Sequence, residues 1–133
     1  MSSYGFGAHL DLPYETAVAR VKEALKAEGF GVLTEIDVRK TLQEKLGVEI
    51  APYVILGACN PPLAHRALTT EPEIGLLLPC NVVVRAEGDG SRVDIADPHA
   101  MLGIVGNPAL NDIATEAQAR LRRALAALTP QAS

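Results

Sequence analysis

The sequence predicts an α+β domain: a two-layer sandwich in which a mixed, mostly antiparallel sheet carries its helices on one face. Three observations carry that prediction. Two long segments hold a single apolar stripe at helical spacing. The β runs mostly alternate apolar and polar residues, as strands covered on one side do, rather than running fully apolar. Gly88-Asp89-Gly90 lies between two such runs, 82–87 and 91–96, where a hairpin turn belongs. The resulting order is β-α-β-α-β-α-β-β-α.

Each element has its own signal. Residues 4–12 alternate loosely and read as a first strand. Pro13 stands where a helix begins, and Tyr14, Val18, Val21 and Leu25 then follow on one face until Gly29 stops the run. Phe30 to Ile36 reads as a second strand. Asp37 can cap a helix running through Arg39 to Leu46, with Val38, Leu42 and Leu46 on one side and Gly47 ending it. Residues 51–58 make a third strand. Asn60-Pro61 is a cap followed by a first-turn proline, opening a short helix that turns Leu63, Ala64, Ala67 and Leu68 inward. Residues 74–86 read as β, interrupted at Pro79, which cannot donate to a ladder. Asp97-Pro98 and Asn107-Pro108 repeat the cap-plus-proline signal. The second opens a last helix in which Leu110, Ile113, Ala114, Ala117, Leu121, Leu125 and Leu128 hold one face.

Residues 1–133 are expected to form one domain, since no linker, low-complexity tract or heptad run divides them. With 48% apolar and 21% charged residues, the chain has the makings of a core and an ordinary soluble surface. The net charge is −4, from 12 basic and 16 acidic residues mixed along the chain. Nucleic-acid binding draws on a basic stripe, and none is visible. With no Trp, two Phe and three Tyr, stacking platforms for single strands are scarce as well. The longest apolar runs, Ile74 to Leu78 and Val82 to Val84, have strand length and fall far short of a membrane span. The N-terminus has neither the basic nor the apolar region of a signal peptide. The expected location is the cytoplasm, with both cysteines reduced.

Those two cysteines are the most distinctive chemistry. Leu56-Gly57-Ala58-Cys59-Asn60-Pro61 echoes Leu77-Leu78-Pro79-Cys80-Asn81-Val82, each placing a Cys-Asn pair beside proline at an apolar β run. Cys59 also precedes a helix start, where backbone N–H groups and the helix dipole stabilise a thiolate. Three readings stand: small buried hydrophobes at tight turns, which free cysteines usually are; a dithiol that cycles with a disulfide; or a soft-metal or ligand pocket. No C-x-x-C is present, and His9, His65 and His99 are scattered, so no metal site is assigned. Glu35 and Asp37 form an E-x-D whose carboxylates share one strand face. They suit acid/base work or hard-metal binding, but a cap at Asp37 and an ion pair or solvation at Glu35 account for them more simply. G-x-G-x-x-G, P-loop, G-x-S-x-G and H-E-x-x-H motifs are all missing.

The blocks Phe30-Gly-Val-Leu-Thr-Glu-Ile-Asp37, Tyr53-Val-Ile-Leu-Gly-Ala-Cys-Asn-Pro61, Glu71-Pro-Glu-Ile-Gly-Leu-Leu-Leu-Pro-Cys-Asn-Val82 and Asp97-Pro-His-Ala-Met101 together resemble the domain-of-unknown-function 302 family, from about residue 6 to residue 128. The resemblance implies a compact, dimeric α+β two-layer fold with no established activity. It ties Glu35, Asp37, Cys59, Asn60, Cys80 and Asn81 to the family's characteristic blocks.

The expectation is therefore a small homodimer, the bare sheet face covered by a second copy, that binds a small-molecule ligand or responds to redox state through a Cys59/Cys80 pocket. Asn60 and Asn81 would supply amides or fix the turns, and Glu35 and Asp37 would line the rim. The alternatives are an enzyme with Cys59 as thiolate nucleophile, and an assembly module whose cysteines are inert core.

Overall fold

The computed structural model describes residues 3–129. Strand β1 (Gly5–Leu10) leads into helix α1 (Tyr14–Ala27), then β2 (Gly31–Asp37), α2 (Val38–Leu46), β3 (Tyr53–Cys59) and α3 (Pro61–Thr70). A 3₁₀ segment over Pro72–Leu77 precedes the hairpin of β4 (Cys80–Glu87) and β5 (Gly90–Ala96). Helix α4 (Pro98–Gly103), a 3₁₀ turn (Pro108–Leu110) and α5 (Asn111–Leu128) complete the chain. The strands lie in the order β1-β5-β4-β3-β2, and every neighbouring pair is antiparallel. The α+β sandwich expected from the sequence is the fold.

The topology sets the length of α1. Strands β1 and β2 are consecutive in sequence yet occupy opposite edges of the sheet. Four inter-strand steps separate them, about 19 Å at normal spacing. A helix of 14 residues spans about 21 Å. Helix α1 accordingly crosses the sheet, touching β5, β4 and β2, and buries Ala17, Val21 and Leu25 on the way. Helix α5 packs beside it and closes the core with Leu121 and Ala124.

Alternation along the central hairpin decides which side chains face the helices. Val82 and Val84 are fully buried, and so is Val93, while Val83, Arg85 and Arg92 on the other face are half-buried. The ladder pairs Val84 with Val93 and Val82 with Ile95, so the buried positions of both strands meet.

Three expectations need correction. Residues 74–78 do not continue a strand: 74–77 lie in the 3₁₀ segment, Leu78 follows it, and β4 begins only at Cys80, after a cis Leu78–Pro79 peptide. Five apolar residues are too few for their period to tell a strand from a buried helical turn, and the prolines on either side deny the ladder its donors. The element order gains a short helix, α4, capped by Asp97 through the His99 N–H at 2.9 Å. Leu46, expected inward, is 69% exposed, and α2 buries no residue at all. That helix follows directly on β2, an edge strand, and has little sheet to lie against.

Candidate functional site

The sheet ends at the last residues of β3, and there the two cysteine blocks converge. Cys80 stands opposite Ala58 in the β3–β4 ladder, one position from Cys59. Both side chains lie in the wall of a cavity of about 360 Å³. Its floor is Phe30, Ala58 and the thiols; its sides are Leu63 and Ala67 of α3, Leu77 and Leu78, Met101 of α4, and Ile113 and Ala117 of α5. No Asp, Glu, Lys, Arg or His contributes to the lining. Small residues make the space: Ala58, Ala64, Ala67, Gly75 and Ala117 all face it, where bulkier side chains would fill it. Leu33 and Leu68 of the lining are themselves exposed, so apolar surface runs out to solvent at the mouth.

Burial, with the neighbouring Cys59 adding to it, pushes the Cys80 thiol up from 9.0 to about 11, so it is neutral at neutral pH. At Cys59 the following helix offers no free backbone donors. Pro61 and Pro62 carry no N–H, the Leu63 N–H is held by Asn60 Oδ1 at 3.2 Å, and the Ala64 N–H is held by the Asn60 carbonyl at 2.9 Å. The prolines that make the helix start legible in the sequence also remove its capacity to receive an anion. Both cysteines are free, with no disulfide between them.

Asn60 and Thr34 are polar residues of this lining, and Asn60 is buried, at 6% exposure. Its amide oxygen caps α3. Its Nδ2 lies over Gly29, 3.0 Å from where a Cβ on that residue would stand, beside the Arg120 guanidinium. Gly29 has φ of +84°, a left-handed conformation natural to glycine at the end of α1. Arg120 is committed elsewhere, donating to the Glu28 carbonyl at 3.2 Å and to Glu116 at 2.7 Å. A second glycine is required by packing: a Cβ on Gly57 would stand 2.8 Å from the Pro79 ring, and Thr34 leans on the same spot.

The remaining sequence candidates lie elsewhere. Asn81 pairs with Gly57 in the ladder and is exposed, outside the cavity lining. Glu35 and Asp37 do share a face, opposite Leu56 and Val54. Along the strand they stand about 10 Å (Glu35) and about 17 Å (Asp37) from the level of Cys59, three and five residues on from it. Glu35 pairs with Lys22 at 2.6 Å, and Asp37 caps α2 by accepting the Lys40 N–H at 2.9 Å. Their charges reach Tyr14, whose hydroxyl is raised first by burial and then by Asp37 and Glu35. The carboxylates therefore do structural work and do not line the cavity rim. His9 and His99 hydrogen-bond to Glu87 and Thr115, and no group of three His, Cys, Asp or Glu side chains is placed to hold a metal among the described residues. Among the same residues, no helix is long and apolar enough to cross a membrane.

Sequence reasoning found both cysteines and Asn60 but not the cavity. Met101, Ile113, Ala117 and the 3₁₀ residues contribute to it from segments far apart in the chain, brought to one end of the sheet only by the topology.

Comparison with known proteins agrees with this architecture. The family model for the domain of unknown function DUF302 matches residues 6–128. The crystal structure of an uncharacterised conserved DUF302 protein from Bacillus stearothermophilus is 33% identical and superposes with a TM-score of 0.89. That match covers 96% of this chain and 100% of the other. The sequence matches no curated protein.

Proposed function

The chain belongs to the DUF302 family, and within it we propose that this protein is a binding domain for a small, uncharged, largely apolar molecule held in the cavity at the end of β3. The observation that carries the reading is the cavity itself: about 360 Å³, within the range of small-molecule sites, and walled without a single ionisable side chain other than the two thiols. A carboxylate or phosphate would have to shed its water there with no cation to meet it. The neutral Cys80 thiol keeps the wall uncharged as well. Catalysis by Cys59 is the weaker alternative, because no histidine or carboxylate lines the site to act as a base. A purely structural role gives no reason for the empty volume. A reducing, cytoplasmic setting belongs to the reading, since both thiols are free.

The test is titration with N-phenyl-1-naphthylamine, a neutral apolar dye that brightens when desolvated. One saturable site is expected, lost when Ala67→Leu fills the space. Absence of saturable binding to the wild-type protein sinks the proposal.

The open sheet face supports a homodimer. Half-buried Ile55 and Val83 and half-exposed Ile36 lie there, flanked by the Arg85–Glu87 and Arg92–Asp94 ion pairs at 3.5 and 3.1 Å. A patch carrying both signs suits contact with its own copy about a two-fold axis. Light scattering should give twice the chain mass at micromolar concentration, and Val83→Glu should halve it. A monomeric wild type rejects the dimer.

A further inference from the structure

A bulge in the edge strand β2 shapes the mouth of the cavity. Val32 pairs with Ala58 and Thr34 with Gly57, so Leu33 is an extra residue that stands opposite no residue of β3. Successive strand residues normally point to opposite faces. Here Leu33 and Thr34 both line the cavity, since the ladder shifts register between Val32 and Thr34. Leu33 is 68% exposed, and Leu68 of α3, also in the lining, is 41% exposed. Thr34 is exposed too and brings a hydroxyl to the same rim. The interior is different. Its only ionisable side chains are the thiols, and among the described residues no buried side-chain nitrogen or oxygen lacks a hydrogen-bond partner. A polar group placed inside would shed its water and find no side-chain donor or acceptor waiting for it, the thiols being weak ones. At the rim the same group keeps its water and meets the hydroxyl of Thr34.

We infer that the ligand is a neutral amphiphile, an apolar body with its polar group at one end, which enters body first and leaves that end at the rim between Leu33 and Leu68. This rests on the cavity being a binding site. Leu33 is then a specificity-determining residue: its side chain covers the part of the body nearest the mouth, and whatever stands at that position meets the polar end. The bulge accounts for a leucine in water on an edge strand, because it turns that side chain toward the cavity instead of leaving it to the sheet face.

The experiment is displacement of N-phenyl-1-naphthylamine by two isomers of matched hydrophobicity, 1-decanol and 5-decanol. The first can leave its hydroxyl at the mouth, whereas the second must bury it or leave part of its chain in water. On the wild-type protein 1-decanol should bind roughly tenfold more tightly, as burying an unpaired hydroxyl implies. The location of the polar end is read with Leu33→Lys and Leu33→Glu, both at an exposed position, and with decanoate at pH 8 as a charged reporter. Decanoate should bind severalfold more tightly to the lysine variant than to the glutamate variant, while 1-decanol binds the two alike. Equal affinity of the two alcohols for the wild type, or indifference of decanoate to the sign of the charge, overturns the inference; dye binding that persists leaves the apolar site standing. Failure of the dye and of both alcohols defeats both readings.

Discussion

The helix layer is packed differently at its two ends. Over β1, β5 and β4, the long helices α1 and α5 bury Val21, Leu25 and Leu121 against Val84 and Val93, each at 0 or 1% exposure. Over the ends of β3 and β4, the cover is α3, a 3₁₀ segment, α4 and the first turns of α5, and a cavity of about 360 Å³ lies among them. Both ends are apolar and both obey the same strand alternation. The difference lies in side-chain size and helix length. Leucine and valine on four-turn and five-turn helices close one end, whereas alanines on β3, the short α3 and the first turns of α5 leave the other open. Stability belongs to the first region and, on the proposed function, room for a ligand to the second.

The sharpest way to break this comparison is to hollow out the packed end. Leu121→Ala should cost about 2–5 kcal/mol, because the surrounding side chains are too well fixed to collapse into the gap. Urea unfolding gives the number, and a loss under 1 kcal/mol would mean that this end is as loosely filled as the other.

Next in size is the alkaline side of stability. The folded Cys80 thiol has its pKa raised from 9.0 to about 11. Below pH 9 both folded and unfolded states hold the proton, and the folded state is at full stability. Between pH 9 and 11 the unfolded chain releases it while the folded chain keeps it, so stability falls as pH rises, levelling off above the folded value. Two pH units correspond to a total of about 3 kcal/mol. Lysines and tyrosines titrate over the same range, so the comparison is between wild type and Cys80→Ala. The wild type should lose more between pH 8 and 11 than the variant does. Parallel loss in the two proteins would put the thiol in contact with water and remove it from the cavity wall.

Adding volume should separate the two ends more directly than removing it. Ala17 of α1 and Ala67 of α3 are both buried, at 0 and 2% exposure. Ala17→Leu forces a side chain into a filled region and should cost about 1–3 kcal/mol. Ala67→Leu projects into the cavity and should cost less than 1 kcal/mol or stabilise the protein, while abolishing dye binding. Equal penalties from urea titration would contradict a packed and a hollow end.

The two regions were also unequally legible in the sequence. Helices α1 and α5 announce themselves by periods such as Val18, Val21, Leu25 and Leu110, Ile113, Ala117, Leu121, and the hairpin by Gly88-Asp89-Gly90. These are local patterns, and the structure keeps them with boundary shifts of a few residues. The hollow end was read in fragments. The Cys-Asn blocks mark the right place, yet residues 74–78 suit a strand as well as a helical turn, because Ile and Leu fit either structure when buried. That several alanines face one another is a fact of topology, with Ala58 and Ala117 some sixty residues apart. The helix start after Cys59 shows a local pattern with two meanings: Pro61-Pro62 specifies the start and, by lacking N–H groups, leaves it without free donors.

The smallest effects concern the E-x-D pair, which the same sequence reading set beside the cysteines. Asp37→Ala removes the cap of α2 and should cost about 1 kcal/mol. Glu35→Gln breaks an ion pair whose partners are each about half exposed, 40% for Lys22 and 49% for Glu35, and should cost well under 1 kcal/mol. Neither should change affinity for N-phenyl-1-naphthylamine, because neither carboxylate lines the cavity. The pair can be told apart from a functional site by that contrast alone. A rim residue changes binding more than folding, whereas a cap changes folding and leaves binding alone. A severalfold loss of dye affinity in Glu35→Gln, with unfolding unchanged, would join the two ends into one site and return the carboxylates to the chemistry of the molecule.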